Sequence, residues 1–147
     1  MKKSIAIAAI AVAAAFTSSF AAAQQLPAAE QTYKEIEATI GTVPTHIKGY
    51  PQSAVTGAWQ MFKGLEMDPE NSALEPKVKS LINLAVAAQI PCKYCIWLET
   101  KMAKGRGATD QEISEAVAHA GYVRHWSAVI NGLQIDFETF KAEFGGD

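Results

Sequence analysis

Hydrophobic and polar positions follow two regimes along the chain. Residues 5–16 run without a polar side chain, whereas beyond residue 25 apolar positions recur at steps of three and four. The second pattern marks amphipathic helices, whose side chains return to one face about every 3.6 residues. Tyr33, Ile36 and Ile40 share such a face, and Gly41 stops the segment. Residues 41–51 hold Gly41, Pro44, Gly49 and Pro51 and form a connector. Pro51 suits the first turn of a helix, on which Val55, Ala58, Trp59, Phe62 and Leu65 make one stripe. Residues 67–73 read as a turn. Pro76 opens the next helix, with Val78, Leu81, Ile82, Ala85 and Gln89 at the spacing of a buried face, and Pro91 breaks it.

A further helix is predicted from about residue 92 to residue 104, stopped by Gly105-Arg106-Gly107. Thr109-Asp110-Gln111-Glu112 is a capping box, in which the threonine hydroxyl accepts a backbone N–H and the glutamate reaches back. Ile113, Ala116, Val117 and Ala120 follow at helical spacing. Val123, Trp126, Ile130, Leu133, Phe137, Phe140 and Phe144 then step 3, 4, 3, 4, 3, 4, the seam of a helix packed lengthwise on a partner, with Gly132 as a possible bend. Strand signals are weak throughout. The expected architecture is all-α, a single domain of five to six helices with a Cys-x-x-Cys at a helix N-terminus.

The uninterrupted apolar run has a different meaning. Lys2 and Lys3 precede it, and Ala21 and Ala23 close a small-residue end, so residues 1–23 have the three parts of a secretory signal peptide. Twelve apolar residues fall short of the ~20 of a membrane span. Cleavage is expected after Ala23, leaving residues 24–147 as the helical domain. The destination is extracytoplasmic, a bacterial periplasm, with no stable membrane insertion. The 147-residue chain carries 13 basic and 15 acidic residues; loss of Lys2 and Lys3 shifts the net charge from −2 to −4. That balance, with a pI near 5.9, argues against nucleic acid as a partner.

Only two cysteines are present, both in Pro91-Cys92-Lys93-Tyr94-Cys95. A helix N-terminus is electropositive and lowers the pKa of a thiol placed there, which supplies the reactive thiolate. A bridge closing so short a loop constrains the unfolded chain little and is a poor staple, which favours a redox role over a structural one. Metal binding is disfavoured because a zinc site needs about four ligands and no second pair is present; no cofactor is expected. The absence of a strand before the motif disfavours a thioredoxin arrangement.

Residues 74–88 (LEPKVKSLINLAVAA), 91–96 (PCKYCI) and 104–113 (KGRGATDQEI), with residues 41–44 (GTVP) and Tyr50-Pro51 upstream, resemble the alkylhydroperoxidase D-like branch of the carboxymuconolactone decarboxylase superfamily. The resemblance covers roughly residues 36–133. It implies an all-α fold, assembly as a trimer or hexamer, and a thiol peroxidase or disulfide reductase. Cys95 would then be the attacking thiolate and Cys92 the resolving thiol. The family pattern also relays a proton between a glutamate twelve residues before the first cysteine and a histidine four after the second. Here those positions are Ser80 and Glu99, and the usual histidine between the cysteines is Tyr94.

Two residues stand as substitutes. Glu99, four residues after Cys95, shares its helix face; a carboxylate there opposes thiolate formation by its charge, or, if partly buried, takes up the thiol proton as a general base. Otherwise it is an ordinary surface glutamate. His125, beside Trp126, has the side chain best poised for proton transfer near neutrality, though a lone histidine next to an aromatic is more often simply packed. Arg124 is a candidate for holding a substrate carboxylate. Trp59, Trp97 and Trp126 are read as core or pocket walls.

Three activities remain open on the sequence. The first is an exported thiol enzyme with a peroxide or disulfide substrate and an unidentified dithiol reductant. The second is a decarboxylase-type lyase acting on a small organic acid through His125 and Arg124 without thiol chemistry. The third is a non-catalytic oligomeric module with a static disulfide.

Overall fold

The computed structural model describes residues 27–146, and residues 1–23, read above as a signal peptide, lie outside them. Among the described residues every regular element is helical: α1 (Pro27–Ile40), α2 (Thr45–Lys48), α3 (Gln52–Glu66), α4 (Pro76–Gln89), α5 (Lys93–Gly105), α6 (Asp110–Gly132) and α7 (Phe137–Glu143). The all-α expectation holds. The helices number seven rather than five or six, because the connector contains the single turn α2 and the C-terminal seam is split in two. They form two compact units, one ending at Phe62 and the other beginning at Lys63.

In the first unit, α1 buries Ala29, Thr32 and Ile36, and α3 buries Val55 and Trp59. Thr32 joins them through a hydroxyl pair with Thr56 at 2.9 Å, and also donates to the Ala28 carbonyl at 2.7 Å. The predicted face of α1 is thus rotated. Ile36 is central to it, but Ile40 is exposed and Thr32 replaces the expected aromatic, because its hydroxyl is satisfied within the interface.

In the second unit α4 is the central helix, packed against both α5 and α6. Its buried face is Ser80, Leu84 and Ala87, while Val78 and Ile82, expected inside, are exposed. The helix is apolar on nearly all sides, so periodicity alone could not select the face. Small residues at the contacts, Ala87, Ala103 and Ala120, let the backbones approach closely. The contacts of α4 and α5 step backward along one as they step forward along the other. The Cys92 N–H donates to the Ala87 carbonyl, Glu99 meets Asn83, and Arg106 meets Ser80 and the Pro76 carbonyl. The two helices therefore form an antiparallel hairpin with Cys-x-x-Cys at its tip.

The capping box is fully formed. Thr109 Oγ1 accepts from the Glu112 N–H at 3.1 Å, and Glu112 Oε2 accepts from the Thr109 N–H at 2.8 Å. The other oxygen, Oε1, binds Lys77 on α4 at 2.7 Å, and this ion pair holds the Glu112 carboxyl below the usual range. Thr109→Ala should lower stability by about 1 kcal/mol in urea unfolding, the usual cost of an N-cap deletion.

The expected continuous seam is interrupted. α6 ends at Gly132, Gln134 takes a left-handed φ of 52°, and Asp136 caps α7 by accepting from the Thr139 N–H at 2.8 Å. Tyr122, Trp126, Ile130, Leu133, Phe140 and Phe144 line an open apolar groove of about 700 Å³ between the two pieces. Of the three tryptophans, Trp59 is buried as expected and Trp126 borders this groove. Trp97 is not a core residue but a wall of an open groove on α5, 65% exposed beside Ile96 and Thr100, with the Lys101 ammonium 5.3 Å from its ring centre.

Candidate functional site

Pro91 ends α4, and Cys92 is the N-cap of α5, so the two cysteines occupy the first turn of a helix. Cys92 and Cys95 are joined as a disulfide with their Cα atoms 5.3 Å apart, and both are half-buried. The Cys92 Sγ also accepts the Cys95 backbone N–H at 3.2 Å. That sulfur thus takes the place of the oxygen that usually caps a helix, where a negative charge is stabilised by free N–H groups and the helix dipole. Lys93 and Tyr94 stand outside, the ammonium 5.1 Å from the ring centre and the ring 75% exposed.

One turn further along α5, Glu99 is half-buried rather than solvent-facing. It belongs to a polar cluster that the sequence reading did not assemble. Asn83 of α4 donates through Nδ2 to Glu66 Oε1 at 3.0 Å and, more weakly, to Glu99 Oε2 at 3.5 Å. Arg106, just past α5, places Nη1 2.9 Å from Glu66 Oε2, 2.8 Å from Ser80 Oγ and 3.1 Å from the Pro76 carbonyl. Ser80 is completely buried, and the Arg106 and Glu66 side chains are only 20% and 13% exposed. Beside the cluster lies a cavity of about 360 Å³ walled by Leu65, Leu74 and Ile82, with Glu66 and Asn83 on its lining.

Burial is the main influence on Glu99 and raises its pKa above the ordinary glutamate value. The hydrogen bond from Asn83 lowers it, the Glu66 charge raises it, and Arg106 lowers it. A carboxyl so placed holds a proton more readily than a solvated one, which suits a group that accepts a proton from a thiol and returns it.

The remaining candidates lie elsewhere on the unit. The His125 ring is exposed on α6 and packs edge-on against Trp126, with ring centres 5.3 Å apart; it is not a member of the Glu99 cluster. Arg124 donates through Nη2 to the Gln89 carbonyl at 3.1 Å, while the Gln89 amide donates to the Ala120 carbonyl. Arg124 therefore ties the end of α4 to α6. Sequence reasoning missed Glu66, Asn83 and Arg106. The one signal pointing their way was Ser80, where a carboxylate expected from the family pattern is absent and another must come from outside the motif.

The carboxymuconolactone decarboxylase family model matches residues 54–136. Among solved structures, the chain is similar to the alkylhydroperoxidase AhpD core from Rhodospirillum rubrum. The TM-score is 0.65 at 26% sequence identity, over 82% of this chain and 90% of that one. No curated protein matches the sequence.

Proposed function

The chain belongs to the carboxymuconolactone decarboxylase family, and on that footing we propose that it is a thiol-dependent peroxidase of the alkylhydroperoxidase type. The observation that carries the reading is the Cys92–Cys95 pair on the first turn of α5, one turn from a half-buried carboxyl whose proton affinity is raised. The family also contains decarboxylases, but the paired cysteines favour thiol chemistry. The engagement of Arg124 with a backbone carbonyl also weakens a small-acid pocket built on Arg124 and His125.

In the reduced protein, Glu99 takes the Cys95 thiol proton. The thiolate attacks the distal oxygen of a hydroperoxide; the S–O bond forms as the O–O bond breaks. The departing alkoxide recovers the proton from Glu99 and leaves as an alcohol. Cys92, as its N-cap-stabilised thiolate, attacks the Cys95 sulfenic acid. The disulfide closes, and the hydroxide released takes up a proton to become water. An external dithiol then attacks Cys95 Sγ, and Cys92 leaves as the better leaving group, since a thiol of lower pKa departs faster. The reductant becomes a disulfide and both thiols are restored. We assign no step to His125. With residues 1–23 read as an export signal, the reductant is an extracytoplasmic dithiol.

A stoichiometric experiment tests this reading. Protein reduced and freed of reductant should consume one equivalent of an alkyl or hydrogen peroxide per chain and lose both titratable thiols. Peroxide left untouched by the reduced protein would overturn the proposal.

A further inference from the structure

The cluster around Glu99 has an arrangement that stability alone does not require. The Asn83 amide has two N–H bonds on one nitrogen, and the two acceptors within its reach are carboxylate oxygens of different helices, Glu66 Oε1 and Glu99 Oε2. Placing two carboxylates around one amide costs like-charge repulsion. Arg106 offsets it unevenly: it grips Glu66 directly and reaches Glu99 only through its charge, and is itself held by buried Ser80 and the Pro76 carbonyl. Glu66 is thereby fixed in place, whereas among the described residues Glu99 receives one long hydrogen bond, from Asn83.

The hairpin register explains why this matters at the disulfide. Ala87 receives the Cys92 N–H, and Asn83 lies one turn before Ala87 as Glu99 lies one turn after Cys95. Helical side chains lean toward the N-terminus, which in α5 is the end carrying Cys95.

We propose that Asn83 and Glu66 are positioning residues for Glu99: Asn83 holds its carboxyl on the Cys95 side of α5, and Glu66, anchored by Arg106, fixes the amide that does so. The two act with opposite sign on the Glu99 proton. Asn83 favours the charged carboxylate by donating to it; Glu66 disfavours it by charge. The lysines of α4 and α5 are engaged elsewhere, Lys93 over the Tyr94 ring and Lys101 over Trp97, and on α6 Glu115 lies beside His119. Lys77 pairs with Glu112, Lys104 with Asp110, and Lys79 donates to the Leu65 carbonyl. This inference rests on the peroxidase reading for its chemistry, but its test does not need peroxide.

The measurement is the rate of alkylation of Cys95 by iodoacetamide against pH, in the reduced protein carrying Cys92→Ser. The profile should show an acid inflection from Glu99 that is missing in Glu99→Gln. Asn83→Leu should move that inflection upward by about one pH unit, roughly a tenfold change in rate on the limb. Glu66→Gln, which keeps an acceptor for Arg106 but removes the charge, should move it downward. A merely structural cluster would give no inflection shift, or shifts of the same sign, and either result overturns the inference. Asn83→Ala serves equally where the leucine variant fails to fold. Opposite shifts in a protein that leaves peroxide untouched would sustain the positioning roles and reject the peroxidase reading. Peroxide consumption with an unmoved inflection would do the reverse.

Discussion

Cys95→Ser should reduce dithiol-driven peroxide turnover by at least about 10³-fold, the scale on which loss of an attacking nucleophile acts. A serine hydroxyl has no accessible anion at neutral pH, and neither Glu99 nor the helix dipole supplies enough stabilisation to form one. Cys92→Ser should behave differently. It keeps an oxygen at the N-cap, a residue type that caps helices well, so α5 should remain intact. Its first turnover should proceed and stop at the Cys95 sulfenic acid, detectable by mass as a dimedone adduct. Losing the disulfide should not confound either result. With a sequence separation of only 3, the loop is worth at most about 2 kcal/mol of chain entropy. Equal turnover in Cys95→Ser would sink the thiol mechanism, and a Cys92→Ser protein that cycles unimpeded would remove Cys92 from it.

What the sequence revealed and what it hid follow from the range of the interactions involved. The Cys-x-x-Cys at a helix start and the Thr109–Glu112 capping box are local. Each depends on residues three apart whose geometry a helix fixes, and both are found as read. Pro91 likewise ends α4 because its ring and missing N–H forbid continuation. Glu99 was legible as a neighbour of Cys95, but not as a buried one, because its burial comes from α4 and the end of α3. Glu66 lies 33 residues before Glu99 in no motif, and Arg106 sits between two glycines that read simply as a helix stop. Their meeting is a tertiary fact. The wrong face of α4 has the same origin. Val78 and Ile82 outrank Ser80 in hydrophobicity, yet Ser80 is buried because Arg106 supplies a partner for its hydroxyl. The long seam failed where one non-glycine residue, Gln134, turns into the left-handed region, which spacing counts cannot register.

Arg106→Met should be among the most destabilising single changes in the second unit, by about 3 kcal/mol in chemical unfolding at neutral pH. Methionine fills much of the same volume, so the loss is mainly electrostatic. Glu66, 13% exposed, would keep only the Asn83 amide, and the fully buried Ser80 hydroxyl would lose its only described side-chain partner. Removing one member of a buried ion pair typically costs about 3–5 kcal/mol, and the residual exposure of this pair places it at the lower end. Adding Glu66→Gln should recover part of the loss, giving the non-additivity expected of residues in one network. The loss should also depend on pH. Burial favours neutral Glu99 in the folded state. That contribution is complete below the ordinary glutamate value and is lost as pH rises through the higher folded value. Arg106 eases this loss by favouring the charged form. Its removal should therefore hurt more at neutral pH than below the glutamate range, where Glu99 is protonated with or without the arginine. Unfolding curves of both proteins at the two pH values check this, and a difference that is the same at both would show that Arg106 acts through packing rather than charge.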